Sequence, residues 1–175
     1  MFVSKLRPTD SFSLVTFNNQ GHTVIPMQKM ASLNIEEVTK TVRAIHTCGG
    51  TTLLSGFETA LENMKVNLNQ ETVKPEMFEN RIIMLTDVED NSISYAQKFI
   101  EEIEESKIHT TIIGISEYFR SEVCEALIEI KGFNYFCATE LDDLKKYLFE
   151  NFSYTFFPSN YDIQISIENE NIQGI

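Results

Sequence analysis

The run Ile82-Ile83-Met84-Leu85, ending in Thr86 and Asp87, constrains this chain more than any other stretch. An unbroken apolar run offers no polar side to solvent, so a strand built from it must be covered on both faces. It is too short for a buried helix. Residues 93–105 follow, with Ile93, Ala96, Phe99, Ile100 and Ile103 at helical spacing and Glu101, Glu102, Glu104 and Glu105 mostly on the other side. The glutamates read as a solvated helix face. Residues 108–115 (IHTTIIGI) form a second strand pattern, 122–130 a helix, 133–138 a strand, and 141–152 a helix with Leu141, Leu144, Leu148 and Phe149 apolar. This alternation predicts an α/β fold: a mostly parallel sheet with helices on both faces.

The first half of the chain reads differently. Residues 12–17 (FSLVTF) and 22–27 (HTVIPM) are strands joined by the turn Asn18-Asn19-Gln20-Gly21. Pro26 lacks an N–H and places the second strand at an edge, so the pair is a hairpin at the sheet margin. Residues 1–7 read as the last turns of a helix that Pro8-Thr9-Asp10 ends. Asn34 is a helix N-cap with Glu37 in capping-box position, and Ile35, Val38, Val42 and Ile45 mark the buried face. A further helix carries Leu53, Leu54, Phe57, Ala60, Leu61 and Met64. Residues 67–80 are polar, contain Pro75 and read as a long surface loop. After Phe157-Pro158, Ile163, Ile165 and Ile167 alternate with Gln164, Ser166 and Glu168, the pattern of a half-exposed strand. A boundary is therefore expected near Pro158, with 1–157 as one domain and 158–175 as a linker with a separate strand, or a disordered tail.

Composition removes several function classes. The formal charge of −12, from 26 acids and 14 bases, disfavours nucleic acid and anionic membrane surfaces. The three cysteines, Cys48, Cys124 and Cys137, have no CxxC spacing, so neither a disulfide framework nor a thiolate zinc site is indicated. That pattern favours a reducing compartment such as the cytoplasm. No apolar run has the length of a membrane segment, and residues 1–6 lack the features of a signal peptide.

Two residues stand out as ligands. Cys48-Gly49-Gly50-Thr51-Thr52 is a glycine-softened loop that delivers a threonine hydroxyl at the start of a helix, and Asp87 ends a buried strand. Hard cations such as Mg²⁺ take oxygen ligands of this kind, and ligands in open α/β sheets bind beyond the carboxyl ends of the strands. The plainer alternatives are that Thr51 caps its helix, and that Asp87 caps a helix beginning near Ser92 or holds a turn. Glu89 and Asp90 read as solvated loop acids. His22, His46 and His109 lack metal-pair spacing, Cys48 has no activating His nearby in sequence, and neither a GxxxxGK[ST] loop nor a GxSxG elbow occurs.

In this order and context, FSLVTF with its hairpin, GGTT opening a helix, RIIMLTD and IHTTIIGI resemble the von Willebrand factor A domain over about residues 1–155. The resemblance implies a Rossmann-like, non-catalytic protein-binding module, and the residues after Phe152 with 162–167 resemble the entry into the β-rich domain that follows some members, which makes 158–175 a linker and the start of that domain. It also implies a metal-ion-dependent adhesion site made from three loops. Thr51 matches the family's threonine and Asp87 its aspartate, holding Mg²⁺ or Mn²⁺ with Asp87 acting through water, while an acidic side chain of the protein partner completes the shell. The family's Asp-x-Ser-x-Ser loop and first strand have no counterpart here, so the site is incomplete and binding is expected to be weak. In the family that strand lies mid-sheet, between the strands matching residues 12–17 and 82–86. Without it, either the two halves pair directly or the chain is a fragment truncated at its N-terminus, and the second is the expectation. Two other classes compete: a metal-independent interaction or structural domain, and a metal-assisted hydrolase.

Overall fold

The computed structural model describes residues 2–46, 49–70, 79–87, 93–106, 108–115, 130–150, 152 and 163–165. A single 3-10 turn, Phe2–Lys5, stands where the end of a longer helix was expected. The chain then turns at Pro8, and the Asp10 carboxylate accepts hydrogen bonds from the Arg7 backbone (2.8 Å) and guanidinium (2.8 Å at the shortest). Met30 N–H donates to the Asp10 carbonyl and Ala31 N–H to that of Pro8, tying this turn to the far end of the hairpin.

Strand β1 (Ser11–Phe17) pairs antiparallel with β2 (Gly21–Lys29). The register runs from Phe17 opposite Gly21 to Ser11 opposite Lys29, with irregularities between Phe12 and Leu14 and between Leu14 and Val15. Pro26 falls within the first irregularity, where its missing N–H costs the ladder least, and among the described residues β2 has no second strand neighbour. Helix α1 (Ile35–Arg43) begins at the expected N-cap: Asn34 Oδ1 accepts from Glu36 N–H at 2.9 Å and Glu37 N–H at 3.4 Å. The two glutamates also suit the positive end of the helix dipole. Of the face expected to be buried, Val38 alone is, packed with Val3, Ile25 and Met30 against the hairpin, whereas Ile35, Val42 and Ile45 are exposed because α1 meets its neighbours along a narrower stripe than the spacing indicated.

Helix α2 (Leu53–Gln70) runs further than the apolar spacing indicated, so residues 67–70 of the expected surface loop are helical, while 71–78 lie outside the described residues. Val66 is exposed, and the helix continues past it, where a helix can extend by backbone hydrogen bonding that a reading of apolar periodicity does not register. Gly56 lets the first turns of α2 lie against Phe17, since a Cβ there would come within 2.6 Å of the ring.

Strands β3 (Arg81–Thr86), β4 (His109–Gly114) and β5 (Phe133–Cys137) form the parallel sheet, with β4 in the middle. Arg81 lies opposite His109, Thr86 opposite Gly114, and Gly114 opposite Cys137. Helix α3 (Ile93–Ser106) joins β3 to β4, and α4 (Leu141–Lys145) continues into a π-helical turn, Lys146–Glu150. Helices cover both faces, as the alternation predicted. On one side Phe57 and Leu61 of α2 and Ile103 of α3 meet Ile82, Met84 and Ile112. On the other Leu148 and Phe152 meet Ile113, and the Phe136 and Tyr147 rings stack with centroids 4.8 Å apart.

Two expectations need correction. The hairpin is not the margin of one continuous sheet. It is a separate two-stranded sheet, and among the described residues no strand lies between β1 and β3. Nor is β3 covered equally on both faces: Ile82, Met84 and Thr86 are buried, Ile83 is half-buried and Leu85 is 41% exposed. Both corrections have one cause. A strand is sealed by its neighbours, and among the described residues β3 has a strand neighbour on one side only. Of the helix expected at 122–130 only Ile130 is among the described residues, and it is buried. Residues 163–165 have no regular secondary structure, with Ile163 71% and Ile165 85% exposed.

Candidate functional site

The loop that carries Thr51 is clamped to the hairpin. Gly49 adopts φ +78°, a conformation costly for residues with a Cβ. Gly50 passes so close to the hairpin turn that a Cβ would lie 2.6 Å from Asn19 Oδ1. Thr52 N–H donates to the Asn18 carbonyl at 2.8 Å, and Asn18 Oδ1 accepts from Gln20 N–H at 2.8 Å, which closes the turn itself. Ser55 Oγ then donates to the Thr52 carbonyl at 2.9 Å as α2 begins. The sequence showed Asn18-Asn19 only as a turn. That the glycine loop docks on it is a tertiary contact with no local signal.

Thr51 is half-buried, and among the described residues its hydroxyl makes no hydrogen bond, so it does not cap α2. Asp87 is the first residue beyond β3 and is exposed. The end of β3 is fixed by Ile115 N–H, which donates to the Thr86 carbonyl at 2.7 Å, while Ala138 N–H donates to the Gly114 carbonyl at 2.8 Å. Ser92, Glu89, Asp90 and Cys48 lie outside the described residues, so the alternative in which Asp87 caps the next helix near Ser92 lies outside them too.

Thr51 and Asp87 thus hang from different sheets: Thr51 is fastened through Asn18 to the hairpin, Asp87 to the end of β3. Among the described residues no group of three or more His, Cys, Asp or Glu side chains is gathered that could hold a metal ion. The donor types, a hydroxyl and a carboxylate, fit a hard cation. Their number does not fill an octahedral shell, and water would have to supply the rest.

The histidines remain scattered. His109 Nε2 lies 3.2 Å from Glu79 Oε1 at the opposite, amino-terminal end of β4, and His22 and His46 are exposed. The shifted carboxylates are structural. Burial raises Asp10, but the Arg7 hydrogen bonds and charge outweigh it and hold the carboxyl below its ordinary range. Asp143 is lowered by the Glu140 backbone N–H (3.2 Å) and by Thr139, whose hydroxyl donates at 3.1 Å, at the start of α4.

The von Willebrand factor type A domain family matches residues 1–150. No curated protein sequence matches the chain. Among solved structures, a von Willebrand factor type A protein from Catenulispora acidiphila is 14% identical with TM-score 0.69, over 89% of this chain and 35% of that one. The hypothetical protein BatB from Bacteroides thetaiotaomicron is 14% identical with TM-score 0.58, over 88% of this chain and 82% of that one. Proximal thread matrix protein 1 from the mussel byssus is 18% identical with TM-score 0.59, over 85% of this chain and 37% of that one. At such identities the likeness is one of fold. This chain spans little more than a third of the Catenulispora and mussel chains.

Proposed function

Because this chain belongs to the von Willebrand factor type A domain family, matched over residues 1–150, we propose that it is a non-catalytic protein-binding module whose contact with an acidic partner side chain uses a divalent cation. Domains of this family are in general protein-interaction modules. The observation that supports the finer reading is the Thr51 hydroxyl, held in a clamped loop without a hydrogen-bond partner among the described residues. An oriented but unused oxygen at the start of a helix is a donor in reserve.

Thr51 would hold Mg²⁺ or Mn²⁺ directly, and Asp87 would orient a water of its shell. The cation, when bound, supplies the positive charge that turns an acidic surface into a receptor for a carboxylate. With two protein donors, affinity is on the order of millimolar or weaker. The same shortage of donors, and their attachment to different sheets, favours a second reading: an interaction domain that binds its partner without metal.

Calorimetric titration with Mn²⁺ separates the two. Weak binding, lost in both Asp87→Ala and Thr51→Val, supports the cation-dependent reading. No heat from the wild type at several times a millimolar concentration, roughly the range of weak oxygen sites, supports the metal-free one. A screen with phosphoesters is expected to show no turnover.

A further inference from the structure

Residues 49–52 meet the hairpin turn one after another, and Thr51 is the exception. A Cβ on Gly49 would lie 3.5 Å from the Asn18 side chain, and one on Gly50 would lie 2.6 Å from Asn19 Oδ1. Thr52 N–H donates to the Asn18 carbonyl at 2.8 Å. The Thr52 carbonyl in turn accepts from Ser55 Oγ at 2.9 Å and from Gly56 N–H at 3.4 Å, which carries the restraint into α2. Both chain neighbours of Thr51 are therefore held by one turn, while its own hydroxyl makes no hydrogen bond among the described residues.

The turn itself is closed by a side chain. Asn18 Oδ1 accepts from Gln20 N–H at 2.8 Å, the closure by which an asparagine stands in for a backbone turn, and Asn18 N–H donates to the Gln20 carbonyl at 3.0 Å. Asn18 thus acts at both ends of the clamp. Its side chain sets the turn, and its carbonyl, aimed by that turn, takes the amide next to Thr51. We propose that Asn18 is the positioning residue of the candidate site, fixing where the Thr51 hydroxyl stands without being a ligand itself. What Thr51 does rests on the cation-dependent reading above; how Thr51 is held does not. A donor already held in place loses less freedom when it takes a ligand, so a looser turn lowers affinity although no ligand atom is removed. Asn18 is uncharged, so this effect is one of order and not of field.

The test compares Asn18→Ala with Asn18→Ser, whose hydroxyl offers the Gln20 N–H a weaker acceptor and adds no charge. Amide hydrogen exchange is read first, in the 1–175 protein without metal. Asn18→Ala is expected to quicken exchange at Gln20 and Thr52 by roughly threefold to tenfold, what one net hydrogen bond is worth. Residues 82–86 and 109–114 should keep their rates, and Asn18→Ser should restore most of the loss. Unchanged exchange at Thr52, or equal quickening in the parallel sheet, would overturn the proposal. Mn²⁺ is then titrated and followed by broadening of the Thr51, Thr52 and Leu53 amide signals. Affinity is expected to fall by a similar factor in Asn18→Ala and to recover in Asn18→Ser. Affinity that Asn18→Ala leaves unchanged, or that Asn18→Ser does not recover, would overturn the proposal while leaving the cation-dependent reading in place. If the wild type takes up no Mn²⁺, it is that reading which fails, and the exchange at Thr52 alone decides whether Asn18 positions Thr51.

Discussion

Strands β4 and β1 are built from similar material, HTTIIG and SFSLVTF, yet they end in opposite environments. From Thr110 to Gly114 β4 is buried throughout, whereas every residue of β1 is only half-buried. Composition does not separate them; neighbours do. β4 has a strand on each side and helices on both faces, while among the described residues β1 has one strand neighbour and the flank of α2. In this chain burial is a property of position in the sheet, and strand propensity reports only readiness to take such a position.

The contrast is sharpest where the halves share a residue. Phe57 is fully buried in the cluster that takes in both Phe17 of the hairpin and Ile82 of the parallel sheet. Phe57→Ala is expected to cost about 3–5 kcal/mol, a large share of the roughly 5–15 kcal/mol that holds a domain folded. Both halves should loosen together in urea. If amide exchange quickens in residues 12–17 while β3 to β5 stay protected, the two sheets do not share one core.

A smaller effect, of opposite sign, belongs to the closed half alone. Thr111 Oγ1 is buried in β4 without a hydrogen-bond partner, beside Ile113 on the same face of the strand. Thr111→Val keeps the shape and removes the unsatisfied hydroxyl, so a gain of about 1 kcal/mol is expected, read as a higher urea midpoint at unchanged m-value. A loss of stability would mean that the hydroxyl has a water or side-chain partner in solution.

The smallest effect is acid lability at the Arg7–Asp10 turn and at the start of α4. Asp10 and Asp143 both titrate below the ordinary carboxylate range when folded. Each therefore adds stability that is complete above the unfolded value of about 4 and is lost as pH falls through the lower folded value. Asp10→Asn should flatten this acid loss in the hairpin amides, and Asp143→Asn in those of α4. A pH profile that neither substitution changes would show that the acid transition lies elsewhere.

Much of the parallel half was legible in sequence because its signals are local. The Ile82–Leu85 run, the stripe of residues 93–105 and the Asn34 cap each announce a demand for burial or capping that a few residues state by themselves. Pro26 likewise named its strand as an edge. The rest depended on how many neighbours a strand obtains. Leu85 is as apolar as Met84, and nothing local told that one would be buried and the other left open. The site was half legible for the same reason. Gly49-Gly50-Thr51 and Asp87 could be singled out as donors, but the docking of that loop on Asn18-Asn19 joins segments about thirty residues apart.

Because the Thr51 loop is moored to the hairpin and Asp87 to the end of β3, the two donors are joined through the core that both sheets share, in which Phe57 of α2 packs with Phe17 on one side and Ile82 on the other. A cation held by both would favour one spacing of the sheets, so ion binding and the packing around Phe57 become linked equilibria. Whatever factor the ion adds to the stability of that packing, intact packing adds to the affinity for the ion. Loosening the core would in that way be felt as weaker ion binding at a place that Phe57 never touches.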